Sequence, residues 1–472
     1  MRVRWRHASC LDLDIPLAVA VFGSRPTLKA GDMAPPSGES PLGNRLDPHL
    51  SRYAKRTLGM TANEIRSLFA VASRPEVVSL AGGMPNIAAL SMEAVSSAVA
   101  NMLATRGQVA LQYGSGNGDP RLREQICEMV GLQGIAPHPD DVIVTVGSQM
   151  ALDLITRIFC DPGDVIIAEA PSYVGALGVF RAYQVEVEHV AMDEHGLNPE
   201  ALRERLKTLA AQGKTPKFVY TIPTFHNPAG LSQPQDRRME ILQICQSAGV
   251  LIIEDDPYGL LGFDGHIPQA IRSHDSDGVI YLGSFSKTFA AGIRVGWAVA
   301  PHGVREKLTL AAESAVLCPP AFSQLTISTY LDTQPWMDQI KIFREVYRER
   351  RDATLEALTQ YMPDGTTWTH PTGGFYVWVT LPEGMDGTAM LPRAVTARVA
   401  YVPGTAFYIN GDGRQSIRLS YSFPEPDRIR EGVRRLGGVI NEELKLMHTF
   451  GTLGAARPSV SSQGSTPGPD VV

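Results

Sequence analysis

The sequence predicts an α/β protein: a mostly parallel seven-stranded sheet flanked by helices, with a smaller α+β domain following it. Three observations carry this. Between residues 90 and 320, seven apolar runs rich in Val and Ile alternate with segments of helical period, and near-continuous apolar strands between helices mean a parallel sheet covered on both faces. After about residue 330 the alternation stops, and a long helical pattern leads into a few strands and a closing helix. Most of the polar, glycine-bearing turns come directly after an apolar run, where ligands sit in such sheets.

The expected strands are 142–146, 165–168, 185–190, 218–222, 250–253, 279–282 and 295–300, with helices such as 150–159, 202–211 and 237–247 between them. Five segments follow. Residues 1–46 form a disordered extension rich in Pro, Gly and Ser. Residues 47–90 hold an amphipathic helix to about 71, N-capped by Asp47 with Pro48 at its first position, and a turn packing with the small domain. Residues 91–330 are the large domain and 331–447 the small one, with a helix over 336–362, a strand-like run 373–379, a helix near 388–399, a strand 417–422 and a helix 426–447. Residues 448–472 read as a disordered tail.

The chain has 472 residues, 44% apolar and 19% charged, with a net charge of −6. This is an ordinary soluble composition with no basic field for nucleic acid or membrane. Five scattered cysteines without a CxxC pair argue against a disulfide framework or zinc site and favour a reducing, cytoplasmic setting. Arginines precede a short apolar run near the N-terminus, but Asp12 and Asp14 interrupt its start, so secretion is rejected. Translation from Met33 is the plainer expectation, and no run of eighteen apolar residues marks a transmembrane helix.

The chemistry centres on Gly-Ser-Phe-Ser-Lys-Thr-Phe-Ala-Ala-Gly-Ile-Arg-Val-Gly, residues 283–296. Lys287 sits between hydroxyls and seven residues before Arg294. A lysine amine condenses with carbonyls once its pKa is lowered, and Ser284, Ser286 and Arg294 suit a phosphate. The grouping fits pyridoxal 5'-phosphate (PLP), and taken alone it fits a solvated loop equally well. Ser148 and Gln149 open a helix after the strand ending at Val146, either as a simple N-cap or as a phosphate site. Tyr173, after the next strand, either stacks on a flat ring or packs on its own helix. In Thr221-Ile-Pro-Thr-Phe-His-Asn-Pro-Ala-Gly230 two prolines and a glycine hold Asn227 on a rigid turn. Glu254-Asp255-Asp256-Pro257-Tyr258 puts carboxylates at the end of a buried strand, which is costly unless something positive lies opposite. A protonated pyridine nitrogen would serve, and no His or Cys with ligand spacing supports a metal instead. Arg418, on an alternating strand, is either paired internally or free for a substrate carboxylate.

Together SLAGGMPN, LQYGSGNGDP, GSQMALDL, IIEDDPYG and SFSKTFAAGIRVG, in this order, resemble the motifs of a fold-type I PLP-dependent aminotransferase of class I/II over roughly residues 50–447. The seven-residue step from Lys287 to Arg294 resembles the 2-aminoadipate and kynurenine aminotransferase branch. The resemblance implies that Lys287 bonds the cofactor covalently and moves the substrate's proton. It further implies that Asp255 keeps the ring nitrogen protonated, that Asn227 and Tyr258 bond the ring oxygen, and that Tyr173 stacks on the ring. Ser148, Gln149, Ser284, Ser286 and Arg294 would hold the phosphate, with Tyr113 reaching the phosphate of a neighbouring subunit in a homodimer. Arg418 would grip the substrate α-carboxylate, and Gly82 and Gly83 would line the side-chain pocket. The implied activity is transfer of an amino group from an aromatic, branched or 2-aminoadipate-like L-amino acid to a 2-oxo acid such as 2-oxoglutarate. Other reactions of the same cofactor, β-elimination or decarboxylation, share these residues. A PLP-sensing regulator would need a basic winged-helix module that the N-terminal stretch does not supply. Ala229 departs from the usual Thr or Ser, and His226 from Gln or Asn. Both departures bear on the substrate assignment.

Overall fold

The computed structural model describes residue 47, residues 49–60 and residues 74–455. Up to Tyr53 the described residues hold one 3-10 turn, Leu50–Arg52. From Ala54 onward the chain is a second compact unit, which opens with another 3-10 turn, Lys55–Gly59. The amphipathic helix expected from residue 47 is therefore absent as far as residue 60. Tyr53 and Ala54 adopt extended backbone angles between the two turns. The physical reason is that Leu50 and Tyr53 are more than half exposed, and a short helix that buries no face is marginal. The remainder of that expectation, the disordered extension and most of the tail fall outside the described residues.

The strands are β1 (Val78–Ser79), β2 (Val142–Thr145), β3 (Val165–Ala170), β4 (Glu186–Asp193), β5 (Gly196–Leu197), β6 (Phe218–Thr221), β7 (Leu251–Asp255), β8 (Val279–Ser284), β9 (Gly296–Val299), β10 (Thr367–Trp368), β11 (Tyr376–Thr380), β12 (Val399–Ala400), β13 (Val402–Pro403) and β14 (Ser416–Ser420). The large sheet runs β2-β9-β8-β7-β6-β3-β4-β5. All seven anticipated strands are there, and the eighth is the two-residue β5, which returns antiparallel on β4. It escapes a search for apolar runs because two residues carry no period. Strands β3, β4, β6, β7 and β8 are mutually parallel, and β9 is antiparallel to both of its neighbours.

Successive strand residues face opposite sides. Ile166, Tyr220, Ile253 and Ile280 pack toward helices Ser148–Phe159, Val174–Ala182 and His302–Val316. Their neighbours Ile167, Val219, Ile252 and Val279 pack toward Pro199–Ala211 and Gln235–Ala248. Burial on both faces is what made these strands read as unbroken apolar runs. The smaller C-terminal part carries the antiparallel sheet β10-β11-β14-β13, in which Arg418 lies opposite Trp378 and Val402. Helix Pro426–Ala455 packs on Trp336–Tyr361 and extends past its expected end at residue 447. Strand β1 pairs with β12, which brings the Gly82-Gly83 turn beside the small sheet.

Candidate active site

Strands β2, β3, β6, β7 and β8 deliver their carboxyl ends to one edge of the sheet, and β9, running the other way, starts there. The polar turns that follow these strands therefore meet. All the residues to which the resemblance gives a cofactor or substrate role, except Gly82 and Tyr113, line one cavity of about 320 Å³. Gly82 is buried next to the lining residue Gly83. Tyr113 is 77% exposed and does not reach the cavity of its own chain.

Lys287 follows β8 and faces the cavity. Its Nζ donates to Gly83 O at 2.7 Å and stands 5.5 Å from the centre of the Phe375 ring. Burial lowers its pKa, and the Arg418 and Arg294 guanidinium groups add to the shift while Tyr376 opposes it. Asp255 ends β7 and is 3% exposed. Its Oδ2 accepts from Tyr220 Oη at 2.7 Å, whereas Oδ1 has no partner. Burial pushes its pKa up to about 7 against the opposing Tyr220 bond. Its neighbours Glu254 and Asp256 point elsewhere. Glu254 accepts from the backbone of Ile271 and Arg272 at 2.9 Å, and Asp256 accepts from Gln133 Nε2. Of the three adjacent carboxylates, only Asp255 lines the cavity.

Arg294 sits in the left-handed conformation, φ +55°, and donates at 3.3 Å to Ser286 Oγ, Ala291 O and Val146 O. Ser284 Oγ donates to Ser286 Oγ at 2.9 Å. Across from them, Ser148 is the first residue of its helix, and the capping position belongs to Gly147 at φ +73°. The plain N-cap role considered for Ser148 is thus not the one it has, because Ser148 already lies inside the helix and Gly147 occupies the cap. A Cβ on Gly147 would collide with the Arg294 guanidinium. Free helical N–H groups, two hydroxyls and a guanidinium there suit a phosphate. Gln149 donates to Gly175 O at 2.9 Å and receives Tyr173 Oη at 3.4 Å.

Arg418 is 2% exposed and lies between two rings, 4.3 Å from the centre of Tyr376 and 5.0 Å from that of Phe407. Its Nη1 donates to Asn227 Oδ1 at 2.9 Å and its Nη2 to Ala81 O at 2.7 Å. The Nε is buried without a partner. No carboxylate pairs with Arg418 among the described residues, so the internal ion pair considered from sequence is not what holds it. Asn227 Oδ1 is occupied by Arg418, which leaves the amide Nδ2 as its free donor. Tyr258 Oη stands 3.5 Å from Tyr376 Oη.

Among the residues that were not anticipated, Tyr376 lines the cavity and Tyr220 supports it. Tyr376 read as one residue of an apolar strand, yet it stacks on Arg418 and closes on Gly83, where a Cβ would strike its hydroxyl. Tyr220 read as core, because its link to Asp255 depends on the β6–β7 register that sets Tyr220 opposite Ile253. The only usable signal was a tyrosine hydroxyl inside an otherwise apolar buried strand, since buried phenols find partners.

Comparison with known proteins agrees with this geometry. The family model described as aminotransferase class I and II matches residues 75–436. The chain is 42% identical over 396 residues to aromatic-amino-acid aminotransferase 1 of Thermococcus litoralis, covering 83% of this chain and 95% of the relative. It is 37% identical over 399 residues to the 2-aminoadipate transaminase of Thermus thermophilus, covering 84% and 98%. The crystal structure of Pyrococcus horikoshii kynurenine aminotransferase, a complex with PMP, superposes with a TM-score of 0.81 at 40% identity, covering 84% of this chain and 99% of that one. The chain belongs to the class I and II aminotransferases, and is a PLP-dependent transaminase of fold type I.

Proposed function

We propose that this enzyme transfers the amino group of an aromatic, branched or 2-aminoadipate-like L-amino acid to a 2-oxo acid, 2-oxoglutarate, and works in the cytoplasm as a homodimer. The observation that carries the site assignment is the meeting of three groups on one cavity: Lys287, the unpartnered Oδ1 of Asp255 and the unpartnered Nε of Arg418.

The residues present fit PLP. Asp255 Oδ1 is a buried acceptor with nothing to accept, as a protonated ring nitrogen requires. The Gly147 turn leaves room for Arg294 where any side chain would intrude. When bound, PLP supplies a carbonyl electrophile and an electron-withdrawing ring that takes up the charge left on the substrate α-carbon.

The chain's own residues do the rest. Arg294, Ser284, Ser286, Ser148 and Gln149 would hold the phosphate, Tyr173 the ring face, and Asn227 Nδ2 and Tyr258 the ring oxygen. Lys287 would bond the carbonyl carbon at rest. Its depressed pKa favours the neutral amine, which can take a proton from the α-carbon and return it elsewhere. Arg418, stacked between Tyr376 and Phe407, would hold the α-carboxylate and so orient the amino acid. Two half-reactions through one site imply ping-pong kinetics.

The dimer is supported by exposed Leu111 and Tyr113, whose loop brings Gly114 beside Ala321, next to exposed Leu317 and Phe322. The cytoplasmic setting is supported by free Cys127, Cys160, Cys245 and Cys318.

The test is the absorption spectrum of the purified protein, followed on adding single amino acids without an oxo acid. A visible band that moves to the near ultraviolet with one group of donors, and returns on adding 2-oxoglutarate, is the expected result. Release of ammonia or pyruvate without transfer would refute the transaminase reading in favour of elimination.

A further inference from the structure

We infer that His226 is a positioning residue: together with Glu169 it fixes the turn that presents Asn227, and through Asn227 it sets the guanidinium of Arg418. The inference rests on the reading above, in which Asn227 faces the cofactor and Arg418 the substrate.

Glu169, on β3, is fully buried. Its carboxylate accepts from Thr221 Oγ1 at 2.7 Å, Ile222 N at 2.9 Å and Gln233 Nε2 at 3.1 Å. His226 Nε2 lies 3.0 Å from the same carboxylate, off the line of a straight hydrogen bond. A carboxylate surrounded by donors in a dry interior is a strong local anchor, and here it ties the ends of β3 and β6 to the turn that follows β6.

The turn is wound around His226. The His226 N–H donates to Leu231 O at 2.7 Å, and its carbonyl accepts from Gly230 N at 2.6 Å. The ring nitrogen Nδ1 accepts from Ala229 N at 3.2 Å, so the hydrogen belongs on Nε2, the nitrogen that faces Glu169. Phe225, immediately before, is held at φ +49°, an unfavourable conformation for a bulky residue that persists only where its surroundings over-determine it. Asn227 comes next, and its Oδ1 receives Arg418 Nη1. The imidazole thus bridges a fixed carboxylate below the turn and the backbone N–H just beyond Asn227. If it is lost, the Ala229 N–H is left buried without an acceptor and the middle of the turn loses its tie to Glu169, which still holds Ile222 N and Gln233 at either end.

The test uses the full-length protein with His226→Ala and His226→Gln. Glutamine can accept from Ala229 with its oxygen and donate toward Glu169 with its nitrogen. Three quantities are read: the PLP dissociation constant of the apoprotein, KM against kcat for an amino donor, and the melting temperature. Losing a buried hydrogen bond in His226→Ala should weaken PLP binding about tenfold and raise KM more than it lowers kcat. Restoring both contacts in His226→Gln should bring PLP affinity and KM back within about twofold. The inference is overturned if His226→Ala lowers only the melting temperature, or if His226→Gln binds PLP as poorly as His226→Ala. Should His226→Ala fail to fold, His226→Asn decides, since its oxygen can serve Ala229 but its chain is too short for Glu169. Wild-type PLP affinity in that variant overturns the role of Glu169, and weakened affinity upholds it. A wild-type protein that takes up no PLP would instead defeat the cofactor reading itself.

Discussion

Replacing Asp255 with Asn should stabilise the apoprotein while removing most of the turnover. The carboxylate is buried, and burial raises its pKa from 3.8 to about 7. About three pKa units at 1.36 kcal/mol each put the cost of holding it ionised at about 4 kcal/mol. Asparagine keeps an acceptor for Tyr220 Oη, but places an amide N–H where Oδ1 has no partner, which costs about 1–3 kcal/mol. The balance is a gain of about 2 kcal/mol for the apoprotein under mildly alkaline conditions. The sign follows from linkage. A carboxyl whose folded pKa lies above its unfolded value is tolerated fully below the unfolded pKa, and destabilises progressively as pH rises through the folded one. Apo wild type should therefore lose stability between about pH 4 and pH 8, and the variant should lose less. Some slope remains, because buried Glu254 is also raised to about 7 and buried Asp256 is raised as well. With PLP bound the relation reverses, since a cationic ring nitrogen offsets the charge, and kcat should fall about a hundred- to thousandfold in the variant. Scanning calorimetry of both apoproteins at two pH values, with kcat of the loaded forms, checks this. An apo variant that melts below wild type in mild alkali would refute the claim that Asp255 is an uncompensated charge.

Lys287→Ala should abolish turnover, and after borohydride treatment its intact mass should show no added cofactor, whereas wild type gains it. Gly147→Ala must hold φ +73° with a side chain, costing about 1–3 kcal/mol, and its Cβ displaces Arg294. Titration of the apoprotein should show PLP affinity down tenfold or more, by about the same energy. Arg418→Gln removes the guanidinium between Tyr376 and Phe407, so KM for the amino donor should rise about 10- to 100-fold while PLP affinity changes little, measured by steady-state kinetics and cofactor titration.

The large sheet was legible because its strands are buried on both faces, so that each reads as an unbroken apolar run closed by a polar turn. Lys287, Asp255 and Arg294 were legible because each sits in such a turn or at the last strand position. What failed to show depends on distances between strands. Tyr220 meets Asp255 through the β6–β7 register, and Tyr376 meets Arg418 through β11–β14 and the approach of Gly83. Nothing local distinguishes either from a core aromatic. The alternative cap reading of Ser148 failed for another reason: a hydroxyl after a strand reads as the cap, but the positive φ at that corner assigned the cap to Gly147. The opening helix failed as far as it is described because a 3.6-residue pattern predicts a helix only where something covers the apolar face.

The unpartnered groups explain the order in which such a site must work. Asp255 Oδ1 and Arg418 Nε are both buried and both unsatisfied, one on an anion and the other on a cation. Each unmet group costs about 1–3 kcal/mol in the empty protein, yet they cannot satisfy each other, because Tyr220 and Asn227 hold the two side chains by their other atoms. A cofactor with a cationic ring nitrogen relieves the first and leaves the second. On the proposed reading a ligand with its own carboxylate would relieve Arg418, so that amino acid and oxo acid would both be drawn to the place the cofactor leaves unsatisfied. Binding energy at Arg418 would then be available to fix the α-carbon near Lys287 Nζ, and an amine lacking the carboxylate would forgo it.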